Sequence, residues 1–125
     1  MDESIERLVV TGLDGTPLAT GRNVRIDADV FAGADQGDFL DLYASPAVGP
    51  PAWRHLVTLE PVASGPQTLT AYYTLPAGGT QAVRAAFRFG GAEAICTTGG
   101  YDERDDLAFE VGPGTEDTVP PTVAI

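Results

Sequence analysis

Carboxylates are the one side-chain type abundant enough to suggest chemistry, and they gather in two places. Asp35-Gln-Gly-Asp38-Phe-Leu-Asp41 sits in a glycine-bearing turn entering a strand, and Tyr101-Asp102-Glu-Arg104-Asp105-Asp106-Leu107 enters another. Like charges crowded into a turn destabilise one another by roughly 1 kcal/mol each unless something compensates them. A hard cation compensates best, because Ca2+ accepts about six to eight oxygens from carboxylates, backbone carbonyls and water in flexible loops. The spacing lacks the Asp-x-Asp-x-Asp-Gly run of an EF-hand. The expected site is therefore a Ca2+ site built mainly from Asp38, Asp41, Asp105 and Asp106, with Asp35 and Asp102 as further ligands. The bland alternative is a solvated acidic loop with Arg104 as its internal partner.

Other chemistries fare worse. His55 is the single histidine, so zinc sites with two or three histidines are excluded, and neither HExxH nor GxSxG is present. A Ser-His-Asp triad would have to join His55 to Ser4, Ser45 or Ser64, none of which lies in a nucleophile-like turn. His55 is expected to be structural. There is no phosphate-binding glycine motif; Gly78-Gly79, Gly90-Gly91 and Gly99-Gly100 fall in turns between strands. The lone Cys96 has no partner for an intramolecular disulfide and is expected to be a small core residue. A glycosidase needs two facing carboxylates, but 18 acidic residues would always supply some such pair, so that signal carries little.

Seven arginines against 18 acids give a net charge of −11, which disfavours nucleic acid and anionic membrane surfaces as partners. No apolar stretch is long enough to insert in a membrane. The absence of Lys and the single Asn23 point to a GC-rich genome, with a salt-adapted origin as the second reading. Met1-Asp-Glu-Ser is acidic where a secretory signal would be basic and then apolar. The segment Thr118–Ile125 reads as the start of a strand, so a piece of a longer protein is expected.

Something must hold these residues, and period-two alternation says what. Val24, Ile26, Ala28 and Val30 alternate with Arg25, Asp27 and Asp29; Leu69, Ala71, Tyr73 and Leu75 alternate with Thr68, Thr70, Tyr72 and Thr74. Val83, Ala85, Phe87 and Phe89 do the same against Arg84, Ala86 and Arg88. Shorter strands are expected at Arg7–Val10, Phe39–Ala44, Arg54–Leu59 and Asp106–Val111. Turns such as Leu13-Asp-Gly-Thr-Pro17, Val48-Gly-Pro-Pro51 and Pro76-Ala-Gly-Gly79 separate them, and no segment offers a crossover helix. The fold class is all-β: an antiparallel β-sandwich, jelly-roll or Ig-like, of seven to eight short strands spanning residues 1–111. Residues 112–125 read as linker. Val24, Ile26, Val30, Leu42, Leu69, Tyr73, Val83, Phe87, Leu107 and Phe109 are the expected core, with Trp53 as an anchor rather than a ligand platform.

At Phe39–Tyr43, Trp53–Leu59, Gln67–Gly78, Gln81–Phe89 and Cys96–Val111 the chain resembles an accessory β-sandwich module that follows the catalytic domain in secreted bacterial peptidases and other hydrolases. The likeness runs from about Asn23 to Val111. Tyr101, Asp105, Asp106, Leu107 and Phe109 match the last strand of that group, while Arg104 stands where histidine is common there, which weakens any metal role for that side chain. Asp117–Ile125 is similar to the entry into a bacterial immunoglobulin-like repeat. The resemblance implies a non-catalytic binding or spacer module, secreted or on the cell surface. Its partners would be neighbouring domains of a parent protein and a polysaccharide or protein substrate. The alternatives are a small carboxylate-dependent glycoside-acting enzyme and a self-assembling structural subunit whose edge strands pair with copies. Carbohydrate binding favours a planar aromatic platform, for which Trp53, Tyr43, Tyr72 and Tyr101 are the candidates.

Overall fold

Val24, Ile26, Ala28 and Val30 leave an extended backbone on the same side, and all four are buried, while Arg25, Asp27 and Asp29 face outward. That alternation makes β2, Asn23–Ala32, the centre of a sheet packed on one face only. The computed structural model describes residues 4–33, 38–89 and 103–113. The other strands are β1 Ser4–Gly12, β3 Asp38–Ser45, β4 Arg54–Leu59, β5 Gly65–Thr74, β6 Thr80–Phe89 and β7 Glu103–Glu110, with a short 3-10 turn at Leu13–Gly15.

The strands form two antiparallel sheets, ordered β1-β2-β5 and β4-β3-β6-β7. The chain passes from β2 to the second sheet, makes the β3-β4 hairpin, returns to lay β5 beside β2, and crosses again to β6. This is the Greek-key connectivity of an Ig-like sandwich. No helix among the described residues is long and apolar enough to cross a membrane.

The inward faces interdigitate. Ile26, Ala28 and Val30 of β2 and Leu69 of β5 meet Leu40, Leu42 and Ala44 of β3 and Val83, Ala85 and Phe87 of β6. Of the expected core, Val24, Ile26, Val30, Leu42, Leu69, Val83 and Phe87 are buried, and Tyr73, Leu107 and Phe109 pack half-buried around them. Full burial of a large aliphatic or aromatic side chain contributes roughly 1.5–3 kcal/mol, so β2, β3 and β6 hold most of the stability.

Four details differ from the sequence-based expectation. β7 begins at Glu103, three residues before Asp106, because a charged segment can serve as an edge strand with one side in water. β3 is buried on both faces: Asp41, Tyr43 and Ser45 point away from the core yet are covered. Their cover comes partly from Arg88, expected outward but buried. Trp53 is no core anchor; it is half-buried just before β4 and stacks on the outer face of the four-stranded sheet. Gly112, read as linker, is paired: its carbonyl accepts from Thr20 N–H at 3.0 Å and its N–H donates to Leu18 O at 2.9 Å. Residues 114–125 lie outside the described residues.

Candidate functional site

The four described acids of the expected cation site fall on opposite faces of one sheet. In the register of β3, β6 and β7, Asp38 and Asp105 share the core-side face, while Asp41 and Asp106 share the outer face. Asp41 is wholly buried and is held by Arg88, whose Nε lies 2.7 Å from Oδ2 and whose Nη2 lies 3.3 Å from Oδ1. Thr58 donates its hydroxyl to Asp41 Oδ1 at 2.6 Å, and His55 Nε2 lies 2.9 Å from that hydroxyl and 4.0 Å from Oδ1. Arg88 also lies over the Phe39 ring at 4.8 Å. Arg88 thus supplies the positive charge beside Asp41.

Asp38 Oδ2 accepts from Gly33 N–H at 3.1 Å, tying the end of β2 to the start of β3. Asp106 takes a two-pronged contact from Arg84, Nε to Oδ1 at 2.7 Å and Nη2 to Oδ2 at 2.9 Å. The partner of the second acidic grouping is therefore Arg84 of β6; Arg104 makes no ion pair among the described residues. Asp105 is exposed on β7. Asp35, Asp102, Tyr101 and Cys96 lie outside the described residues. Among the described residues no three His, Cys, Asp or Glu side chains gather into a metal-holding group.

Trp53 and Arg84 belong to a second feature. The connection between β3 and β4 turns back over the outer face, where the Arg84 guanidinium lies 4.3 Å from the Trp53 ring centre. A cleft of about 250 Å³ opens between Val48, Pro51 and Trp53 on one side and Ala82, Arg84, Asp106 and Ala108 on the other. One face of the indole is thereby covered by a cation, leaving Trp53 poorly placed as a flat platform. Tyr43, another candidate platform, is buried against His55, ring centres 5.5 Å apart.

The outer face of the three-stranded sheet is different. A groove of about 600 Å³ runs across it, with Arg7, Val9 and Thr11 from β1, Arg25, Asp27 and Asp29 from β2, and Thr68, Thr70 and Tyr72 from β5. Strand register places the pairs directly opposite: Asp29 with Thr68, Asp27 with Thr70, Arg25 with Tyr72. The threonines lock the acids. Thr68 donates to Asp29 Oδ1 and Thr70 to Asp27 Oδ1, each at 2.7 Å, and Arg25 Nε donates to Asp27 Oδ2 at 2.9 Å. At the end of the same row Thr74 donates to Asn23 Oδ1 at 2.5 Å.

Several groups on this face keep capacity for a ligand. Among the described residues, Arg25 uses only Nε, so both terminal nitrogens are uncommitted, and Arg7 makes no ion pair. Asp29 Oδ2 is likewise uncommitted, and Tyr72 is 67% exposed, the most open large aromatic surface on the described chain. Two arginines offset two aspartates, so the groove is locally neutral on a chain of net charge −11. The sequence held the signal for this face in the outward residues of two alternating strands, but periodicity alone does not say that those strands are neighbours. Compared with family models and with curated proteins, the chain matches none.

Proposed function

We propose that the chain is a non-catalytic binding module of a larger exported protein, and that the outer face of β1-β2-β5 holds a neutral, hydroxyl-rich polymer, a polysaccharide. The observation that carries this reading is the groove's mixture of fixed, uncommitted donors and acceptors beside the exposed ring of Tyr72. A sugar hydroxyl both donates and accepts. The terminal nitrogens of Arg25 can donate to neighbouring hydroxyls, Asp29 Oδ2 can accept from one, and the Tyr72 ring offers the flat apolar surface against which a pyranose packs.

Local neutrality supports a neutral ligand, since a polyanion would meet the repulsion of the whole chain. Rigidity supports binding over turnover: both oxygens of Asp27 are engaged by neighbours, and the acids are held by cross-strand partners rather than poised across a cleft. The exported setting and the neighbouring domains rest on the resemblance to accessory modules of secreted hydrolases. Calcium has no part in this reading, because Asp41 and Asp106 are already paired with arginines.

Affinity electrophoresis against a panel of neutral glucans, xylans and mannans, with polyuronates alongside, tests the proposal. Retardation by at least one neutral polymer is expected, with at least a tenfold loss in Tyr72→Ala and in Arg25→Ala. Uniform mobility in every gel, or retardation unaffected by both substitutions, would overturn it.

A further inference from the structure

An open sandwich leaves edge strands whose outward N–H and C=O groups have no ladder partner, and natural proteins block such edges with charges, bulges or proline. Of the four edges among the described strands, three carry charges. β1 has Glu6 and Arg7 at a register shift between Ile5 and Arg7. β4 begins with Arg54 and His55 beside another shift, opposite Leu42 and Tyr43. β7 carries Glu103, Arg104, Asp105, Asp106 and Glu110.

In β5 the one such residue is Pro66, at the very start of the strand opposite Phe31. From Gln67 to Thr74 it contains no charge and no proline, and its pairing with β2 runs unbroken from Asn23↔Thr74 to Ala32↔Gly65. Its residues are largely Thr, Tyr and Leu, which favour extended structure. Among the described residues no strand pairs with its other side. The nearest acids on its own sheet, Asp27 and Asp29, are held by Thr70 and Thr68.

We propose that β5 is a strand-addition edge and that its occupant is β5 of a second copy of this chain, antiparallel across a two-fold axis. Charge selects this occupant. On a chain of net charge −11, a copy can approach without facing like charges only where both surfaces are uncharged, and β5 is the one described edge that meets this condition on both sides. Antiparallel self-pairing is isologous, so it closes at two copies, and the charged β1 edges stop the joined sheet from growing.

The pleat fixes the register. Directly opposed residues must share a face, so pairing centred on Thr70 sets Tyr72 against Thr68 of the partner subunit and Leu69 against Ala71 of the partner subunit. The two polar grooves then lie on one six-stranded face with the tyrosines near its middle. An edge-to-edge contact is small by the standards of protein interfaces, so association belongs in the weak, transient class. The pairing itself does not depend on what the groove binds.

Sedimentation equilibrium of the whole chain from about 1 μM to 1 mM tests this, with the weight-average mass rising from one copy towards two and no further. Thr70→Lys and Thr70→Glu place like charges directly opposite each other at the axis, so each alone should stay monomeric, while an equimolar mixture of the two should recover the dimer. Ala108→Lys on the β7 edge should leave the dimer intact. In the unmodified chain, exchange protection of alternate β5 amides should increase with concentration, a readout that does not rely on any variant folding. A single-copy mass throughout, growth beyond two, dimerisation indifferent to the Thr70 charges, or β5 protection independent of concentration would each overturn the proposal.

Discussion

Arg88 and Asp41 show how little a side chain's parity reveals about its burial. Alternation assigns Arg88 to the outward face, correctly, yet it and Asp41 are buried there because Thr58, His55 and Phe39 close around them. A buried ion pair is costly to break and cheap to replace as a unit. Arg88→Met alone or Asp41→Leu alone should lose about 3–5 kcal/mol in denaturant unfolding, whereas the double variant should lie close to the parent, and additive losses would deny the coupling. Tyr73 gives a test by pH. Burial holds its hydroxyl above the ordinary tyrosine range, with the positive charge of Arg54 acting in the opposite direction. The unfolded chain releases that proton near pH 10, roughly, before the folded chain does. Its contribution is therefore complete below that pH and is lost as pH rises towards the folded value. Tyr73→Phe should flatten the alkaline fall in melting temperature; an unchanged fall would assign it to other groups.

At the scale of elements, seven strands were legible because each has at least four residues of alternation or a short apolar run between Gly or Pro turns. What sequence could not supply was adjacency. The groove depends on β2 and β5 being neighbours, although about 40 residues separate Asp27 from Thr70, and only the Greek-key return places them in register. The start of β7 is hidden for a related reason: charged residues at Glu103–Asp106 look like a turn when the option of an edge strand is overlooked. The chain end shows the same weakness of local reading. Gly112 carries no side-chain pattern, yet its backbone closes the connection between β1 and β2. A chain ending at Val111 should therefore be less stable than one ending at Pro113 by about 1–3 kcal/mol, the net worth of the hydrogen bonds to Leu18 and Thr20. Equal melting temperatures for the two would show that this pairing contributes nothing.

For the whole molecule, net charge bears on stability and on the proposed partner. An excess of 11 negative charges predicts that salt stabilises by screening, so CaCl2 and NaCl at matched ionic strength should raise the melting temperature equally. A larger gain from Ca2+ that disappears in Asp105→Asn with Asp106→Asn would restore the cation site expected from the acidic groupings. The same excess favours the neutral groove over β1, β2 and β5 as the surface for the proposed uncharged, hydroxyl-bearing polymer, while on the other outer face Arg84 lies over the Trp53 ring and Arg88 over the Phe39 ring. The most direct test is an amide NMR titration with an oligosaccharide from the neutral polymer that retards the chain most strongly. The expected result is saturable shifts concentrated at Arg7, Arg25, Asp29, Thr68 and Tyr72, with the amides around Trp53 and Arg84 unmoved. Shifts centred on the Trp53 cleft, or none at saturating ligand, would contradict the account.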